Sequence, residues 1–357
     1  MASSDPQRVL DSAPAPSSAR PIVRIGSRPS VLAKIQARMV QERLSALFPT
    51  HDFELSARVI SVAGDRDKVR TLRSLNRDAQ ANATSLWTTE LEDALIAGEL
   101  DVLVHSLKDC PTTVRDGCDI IPVLPRENNT DCLVFKKGSS YTTLADLPDG
   151  SLIGTGSVRR IAQLKKRYPG LRFQDLRGNI DTRLAKLDDP EGPYAAAVLA
   201  SAGLIRLNHQ GRINAYLQPP DLYPAVGQGC LGAEFLTANH VVGDMVRALE
   251  DPASGWACRA ERALLRVLEG GCAVPVGVWS TTTAGVDGKG LVLSLQSVLT
   301  SPDGQREVSV EESAVISTPE DAEALGQRAA VRIAAGGGRE IMDDLRAEID
   351  RAAAGDN

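Results

Sequence analysis

The chain of 357 residues has few aromatic side chains, at 4%, and no apolar run long enough to cross a bilayer. A membrane-spanning helix needs about 20 consecutive apolar residues, and the longest apolar stretches, such as residues 195–204, are far shorter. We therefore expect no membrane partner, and cores built from Leu, Val, Ile and Ala. With 43% hydrophobic and 24% charged residues, the composition is that of a folded, globular protein.

Cysteine and histidine are also scarce, and neither has the spacing of metal ligands. The six cysteines form no C-x-x-C pair and the four histidines no ligand-spaced pair, so we expect no metal site. Residues 1–21 are rich in Ser, Ala and Pro and lack the apolar core of a secretory signal. We expect a disordered tail there, and a cytoplasmic protein with reduced thiols.

The charge is unevenly distributed. The whole chain has a net charge of −6, which argues against general nucleic-acid binding, because that depends on neutralising phosphates. Residues 159–186, in contrast, contain nine basic residues and two acidic ones. Such a segment inside an acidic chain predicts a local site for an anion.

Short β-rich runs alternate with helical patterns through most of the chain. Residues 22–26 form one such run, and a helical pattern over 31–47 follows it. This alternation predicts an α/β fold with two lobes and largely parallel sheets. Within the first of these lobes, residues 65–84 form a long polar loop.

The C-terminal part of the chain differs in character. Alternating strand patterns cover 291–299 and 308–316, and helical patterns follow over 319–334 and 339–353. They predict a small third domain of α+β type, in which the glycines at 336–338 form a loop.

Three of the predicted strands end in unusual polar loops, at residues 26–30, 105–109 and 154–160. In open α/β sheets, ligands bind beyond the carboxyl ends of strands. In the last loop, Arg159 and Arg160 follow a Gly/Ser/Thr stretch at a helix N-terminus, where free N–H groups favour an anion. Arg28 lies at the equivalent turn of the first lobe. We expect a cleft that binds a polyanion, with Lys165, Lys166 and Arg167 on a solvated helix face.

Two further residues could act in this cleft. Asp109, after Lys108, either forms a salt bridge or turn cap, or serves as a carboxylate that stabilises a developing cation. Cys272 lies in a Gly-Gly loop before a proline and has the exposure of a nucleophile. His105 is expected to be structural. The Gly-x-Gly-x-x-Gly match at 227–232 follows prolines rather than a strand, which favours a crossover between lobes over a nucleotide site.

Together these stretches resemble the porphobilinogen deaminase (hydroxymethylbilane synthase) family. The matches recur in the family's order over about residues 22–279, which makes them far more specific than any single motif. They lie at residues 24–30, 103–112, 154–160, 176–184, 224–229, 260–265 and 270–272.

The resemblance implies an α/β protein of three domains, whose first two lobes resemble type II periplasmic binding proteins. The expected boundaries are 22–126 with 228–248, 127–227, and 249–357. The resemblance also implies that four porphobilinogen molecules are joined head to tail, with loss of ammonia, on a covalent dipyrromethane cofactor. The product is hydroxymethylbilane, the chain acts as a monomer, and porphobilinogen is its small-molecule partner.

The same resemblance assigns site residues. Asp109 is catalytic, and Cys272 carries the cofactor through a thioether. The other cofactor-binding residues are Lys108, Ser106, Thr155, Ser157, Arg159, Arg160, Arg183 and Gln228. The substrate-binding residues are Arg28, Ser30 and Arg177.

A two-lobed anion-binding protein without enzymatic activity is the alternative. It would account for the arginines, but not for Cys272 in its loop or for the third domain.

Overall fold

The computed structural model describes residues 20–56, 88–268, 274–285 and 290–354. Most of the predicted tail, the predicted loop at 65–84 and Cys272 lie outside these ranges. Within them, no helix is both long and apolar enough to cross a membrane.

The described residues form strands and helices that alternate along most of the chain. The strands are β1 Ile22–Gly26, β2 Asp52–Leu55, β3 Val102–Ser106, β4 Cys118–Val123, β5 Asp131–Phe135, β6 Leu152–Gly154, β7 Arg172–Gln174, β8 Ala196–Ala200, β9 Ala215–Leu217, β10 Leu231–Leu236, β11 Val276–Ala284, β12 Leu291–Thr300 and β13 Glu307–Ile316. The helices are α1 Val31–Leu47, α2 Thr89–Ile96, α3 Val158–Arg167, α4 Ile180–Asp188, α5 Ser201–Arg206, α6 His240–Arg247, α7 Pro252–Val267, α8 Pro319–Ile333 and α9 Arg339–Ala354.

The first lobe is built on a five-stranded sheet in the order β2-β1-β3-β10-β4. Helix α1 begins where the Ser30 hydroxyl accepts a hydrogen bond from the Ala33 N–H at 3.2 Å, which caps its first turn. Its apolar face buries Val40 and Leu44 against Phe235 of the sheet. This packing fixes the loop between β1 and α1 at the carboxyl end of β1.

The second lobe repeats this plan with the strand order β7-β6-β8-β5-β9. Leu133, Ile153 and Val198 of its sheet pack with Leu164 of α3 in one core. In each lobe a single described strand opposes the others, β10 in the first and β5 in the second. Each of these two strands is the first one after the chain crosses over from the other lobe. The predicted α/β lobes with largely parallel sheets are confirmed.

The chain passes between the lobes twice, over residues 124–130 and 218–230. In the second passage Gly229 has φ +88°, and a Cβ there would lie 2.4 Å from the Glu127 carbonyl oxygen of the first passage. The two passages therefore touch backbone to backbone, as only glycine allows. The predicted Gly-rich crossover is confirmed, and strand β10 rather than a helix follows it.

The C-terminal unit packs α7 and α8 on the antiparallel sheet β11-β12-β13. Leu264, Leu295 and Leu325 are fully buried between these layers. At Gly326, a Cβ would lie 2.0 Å from the Ala260 carbonyl oxygen, so the two helices approach at backbone distance. The predicted small α+β domain is confirmed.

The expected loop at the three glycines 336–338 is wrong. A π-helical turn, Ala334–Gly338, joins α8 to α9, with a kink at Gly337, whose φ is +102°. Ile333 before the turn and Ile341 after it are both buried in the same core. Gly337 has a left-handed backbone that interrupts the helical path, and the common core holds α8 and α9 on either side of this kink.

Candidate active site

Asp109 lies at the end of a short 3₁₀ turn, Leu107–Asp109, that directly follows β3. Leu107 anchors the turn, because its side chain is buried and its N–H donates to the Cys230 carbonyl at 3.0 Å. The neighbouring side chains Lys108 and Asp109 remain half-buried. The turn therefore presents one cation and one carboxylate at the carboxyl end of β3.

A cleft opens beside this turn and holds about 440 Å³ of space, part of it open to solvent. Gln36 of α1 donates to the Ser106 hydroxyl at 2.9 Å, which joins two sides of the cleft. Three of the predicted substrate- and cofactor-binding residues line it together with Asp109: Arg28, Ser30 and Ser106. Ser30 also caps α1, so its hydroxyl already has a structural role.

The second lobe contributes the N-terminus of α3. Ser157 is the N-cap of this helix, and its hydroxyl accepts from the Arg160 N–H at 3.5 Å. Thr155 is buried, and its hydroxyl oxygen lies 3.4 Å from the Ser157 N–H. The predicted loop at a helix N-terminus is confirmed.

Arg159 and Arg160 are buried, and both are bound to Asp131 at the start of β5. Arg159 Nη1 donates to Asp131 Oδ2 at 2.7 Å, and Arg160 Nη2 to Asp131 Oδ1 at 2.7 Å. The sequence analysis predicted two arginines for a ligand but did not identify this internal carboxylate. An acidic residue at the head of the apolar run 131–135 was the available signal.

Gln228 connects this cluster to the first lobe. Its amide donates to Asp131 Oδ1 at 3.0 Å and to the Asn129 carbonyl at 2.8 Å. Lys108 Nζ in turn donates to the Gln228 side-chain oxygen at 3.4 Å. Lys108, Gln228, Asp131 and the two arginines thus form one network that crosses between the lobes.

The electrostatics of the network favour an anionic ligand. Burial lowers the pKa of Lys108 to about 8, with Arg159 and Arg160 adding to the effect and Asp109 opposing it. Burial also lowers the pKa of Arg183 to about 10, and Arg160 and Arg177 act in the same direction. Cations whose charge is disfavoured in this way are stabilised by a bound carboxylate.

The remaining basic residues fall into two groups, one near Asp109 and one exposed to solvent, as the sequence predicted. Arg183 is within electrostatic range of Asp109, Arg160 and Arg177, so all four belong to one neighbourhood. Lys165, Lys166 and Arg167 are exposed on the far part of α3. Lys166 pairs with Glu307 at 3.3 Å and Arg167 with Asp221 at 3.4 Å, both near the surface.

Sequence reasoning missed a second buried ion pair, which holds the two passages between the lobes. Arg126 Nη1 donates to Glu261 Oε1 at 2.6 Å, and Arg126 Nε to the Gln228 carbonyl at 2.7 Å. Glu261, on α7 of the C-terminal unit, also accepts from the Gly227 N–H at 2.7 Å. No spacing signal could reveal a pair separated by 135 residues.

His105 and five of the cysteines have structural positions. His105 Nε2 lies 3.0 Å from Glu234 Oε2, in a buried pair behind the cleft. The expectation of a structural histidine is thereby supported. The buried free thiols are Cys110, Cys118, Cys132, Cys230 and Cys258.

The comparisons with known proteins agree with this geometry. Residues 23–243 match the family model described as porphobilinogen deaminase, dipyromethane cofactor binding domain. Residues 256–335 match the model of the porphobilinogen deaminase C-terminal domain. The first match spans both lobes and therefore the whole cationic network.

Individual relatives match over nearly the full chain. The porphobilinogen deaminase of Debaryomyces hansenii is 43% identical over 331 residues, which cover 91% of this chain and 88% of that protein. The one from Synechococcus elongatus is 43% identical over 333 residues, covering 93% and 98%. A solved structure, the periplasmic aliphatic sulphonate binding protein SsuA from Escherichia coli, is a distant likeness, with 13% identity, coverage of 70% and 71%, and a TM-score of 0.38. The chain belongs to the porphobilinogen deaminase family, transferases that condense porphobilinogen on a dipyrromethane cofactor in tetrapyrrole synthesis.

Proposed function

We propose that Asp109 is the catalytic carboxylate of this reaction. The observation that carries the proposal is its position: Asp109 lines the cleft of the first lobe, beside Lys108 and within electrostatic range of Arg183 of the second lobe. A carboxylate at this position can stabilise a positive charge that develops next to it.

The chemistry of porphobilinogen supplies such a charge. When its aminomethyl C–N bond breaks, the electron pair leaves with ammonia, and the pyrrole nitrogen shares the resulting positive charge. A carboxylate near the pyrrole N–H stabilises that cation and can accept the proton lost after the new C–C bond forms. Asp109 suits both tasks.

The described residues fit a dipyrromethane cofactor. One neighbourhood contains three carboxylates (Asp109, Asp131 and Asp175) and five cations (Lys108, Arg159, Arg160, Arg177 and Arg183), so the cluster has an excess of two positive charges. A dipyrromethane carries two acetate and two propionate groups, and this excess would offset about half of their four negative charges. When bound, the cofactor supplies the pyrrole α-carbon on which the chain is built.

We assign the contacts of the cofactor to residues of both lobes and to Cys272. The Cys272 thiolate would anchor the cofactor by a thioether, which survives the hydrolysis that releases the product; this residue lies outside the described part of the chain. The polar contacts we propose come from Ser106, Lys108, Thr155, Ser157, Arg159, Arg160, Arg183 and Gln228.

For incoming porphobilinogen we propose a different set: Arg28, Ser30 and Arg177. Arg28 and Ser30 line the cleft at the start of α1, on the same side as Asp109. A guanidinium matches the fork geometry of a carboxylate. These residues would hold the acetate and propionate groups of the substrate while Asp109 acts on its ring.

We also propose the domain limits 22–126 with 228–248, 127–227, and 249–357. A monomer in the cytoplasm is the working form that we propose, with no nucleic-acid or membrane partner. The five buried free thiols are consistent with a reducing compartment. Gel filtration tests the oligomeric state, and cell fractionation tests the compartment.

The experiment for Asp109 compares Asp109→Asn with Asp119→Asn. Asp119 is a half-buried carboxylate on β4, outside the residues that line the cleft. We expect Asp109→Asn to keep the fold and the cofactor but to lose turnover by about 10²–10⁴-fold, the usual value of such a group. Asp119→Asn should turn over normally. Near-normal activity of folded, cofactor-loaded Asp109→Asn would contradict the proposal.

A further inference from the structure

A single carboxylate organises the cationic side of the active site. Asp131 is fully buried and accepts four hydrogen bonds: from Arg159 Nη1 at 2.7 Å, Arg160 Nη2 at 2.7 Å, Arg160 Nε at 3.0 Å and Gln228 Nε2 at 3.0 Å. Burial alone would raise the pKa of Asp131, but the two arginines outweigh it and hold that pKa well below its usual range. Asp131 is therefore ionised at every working pH.

Asp131 holds the two arginines in place but does not occupy all of their N–H donors. Each guanidinium carries five N–H donors. Among the described residues, Arg159 uses two of them, toward Asp131 and the Tyr223 carbonyl, and Arg160 three, toward Asp131 and the Val198 carbonyl at 2.9 Å. The other N–H groups can bind an anion, in directions that Asp131 and the two carbonyls determine.

The single negative charge of Asp131 is smaller than the combined positive charge of the two arginines. One carboxylate against two arginines leaves one positive charge at this point of the cleft. Two adjacent buried guanidinium groups would otherwise repel each other and disorder, because burying unpaired charge is costly. The arrangement thus keeps two cations close together and still attractive to an anion.

Asp131 also influences the position of side chains in the first lobe, through Gln228. The same Gln228 side chain that donates to Asp131 accepts from Lys108 Nζ at 3.4 Å. Lys108 is the neighbour of Asp109. A shift of the Asp131 carboxylate would therefore disturb cations in both lobes.

We propose that Asp131 is a positioning residue for the cofactor and the growing chain: it sets the orientation of Arg159, Arg160 and Gln228 and does not itself touch the ligand. The proposal rests on the cofactor contacts assigned above to these three residues. It goes beyond them by naming the group that makes the contacts possible.

The experiment uses two variants with opposite risks for folding. Asp131→Glu keeps the charge and moves it by one methylene, whereas Asp131→Asn keeps the size and removes the charge. The same two changes at Asp188 are matched controls. Asp188 forms a two-pronged pair with Arg212 at 2.8 Å in the same lobe, outside the network.

Three quantities are measured on folded protein: the cofactor-loaded fraction by intact mass, the turnover per loaded chain, and the masses of chains that carry one, two or three additional pyrrole units. We expect each folded Asp131 variant to lose at least about tenfold in loading or in turnover per loaded chain, as a misplaced reacting geometry costs. Chain-bound intermediates should also accumulate. The Asp188 variants should match the wild type in all three.

A merely structural role predicts a different result, with less folded protein but normal turnover per loaded chain and a normal pattern of intermediates. That result would overturn the proposal, as would full loading and turnover in either folded Asp131 variant. Arg160→Gln separates this failure from that of the proposed function. If Arg160→Gln also loads and turns over normally, the cofactor contacts are wrong; if it is impaired while the Asp131 variants are normal, only the role of Asp131 is wrong.

Discussion

Lys108 illustrates how single residues of the site are adjusted to an anionic ligand. It lies beside the proposed catalytic Asp109 and donates to Gln228. Burial and two nearby arginines lower its pKa to about 8, so its charge is lost just above neutral pH. An ordinary lysine, with a pKa of about 10.4, would remain charged there.

The lowered pKa predicts an alkaline limb in the activity profile. Lys108 is charged below about pH 8 and neutral above it, so kcat/KM should fall as the pH rises through that value. Lys108→Arg keeps its charge at all these pH values and should move the limb upward. The pH dependence of kcat/KM for the two proteins, with Lys165→Arg as the control, checks this. An unchanged limb in Lys108→Arg would show that another group titrates.

Basic residues of the same segment should differ in importance. Arg183 belongs to the neighbourhood of Asp109 and Arg160, whereas Lys165 is exposed. We expect Arg183→Gln to impair cofactor loading or chain elongation, because a cleft charge is screened less by water than an exposed one. Lys165→Gln should have little effect. Intact mass and turnover measure both, and equal defects would mean that only the total charge matters.

Sequence reasoning identified the residues that we propose as ligand contacts but not their internal partners. Arg159, Arg160 and Asp109 stand in recognisable loops at strand ends, so their neighbourhood could be predicted. Asp131 could not, because its role depends on contacts with residues 28, 29 and 97 positions away. Glu261 escaped for the same reason.

Helix α7 ties the C-terminal unit to the first lobe and to the two passages between the lobes. Its Glu261 binds Arg126 and the Gly227 N–H, and its Arg262 donates to the Pro111 carbonyl at 2.7 Å. Adjacent residues of a helix point about 100° apart, so the two contacts lie on different faces of α7. The helix thus fixes the second passage and the loop that follows Asp109.

Breaking the ion pair beneath that passage should cost much stability. Glu261 is fully buried and Arg126 nearly so, and loss of one partner of such a pair costs about 3–5 kcal/mol. Glu312→Gln, which changes the half-buried partner of the exposed Arg332, should cost about 1 kcal/mol or less. Denaturant unfolding of Glu261→Gln and Glu312→Gln measures the difference. Equal losses would contradict the account of α7.

Elements with a clear period were predictable, and those without one were not. Helix α1 has the predicted bounds of 31–47, because an N-cap serine and a proline mark its ends. The short strands β4 and β9 carry too few residues to show a period. Helix α7 contains both apolar and charged buried positions, since it packs against the first lobe and the passages as well as its own sheet.

At the scale of the whole molecule, an acidic protein concentrates positive charge where its two lobes meet. The first lobe supplies a cation from the turn that follows β3, and the second lobe supplies cations from α3 and α4. The passages between the lobes supply Gln228 and Arg126. The C-terminal unit holds those passages through α7 and leads into the segment that contains Cys272. This arrangement explains how one site could hold a polyanion that grows while it stays attached.

The most direct test of this account is the intact mass of the purified protein. A chain made in cells with normal porphyrin synthesis should exceed its sequence mass by one dipyrromethane. Cys272→Ser should lack that mass and be inactive, whereas Cys118→Ser, which changes a buried thiol away from the network, should keep it. A wild-type protein with only the bare chain mass would contradict the anchored-cofactor mechanism, and an adduct mapped to another cysteine would contradict the assignment of Cys272.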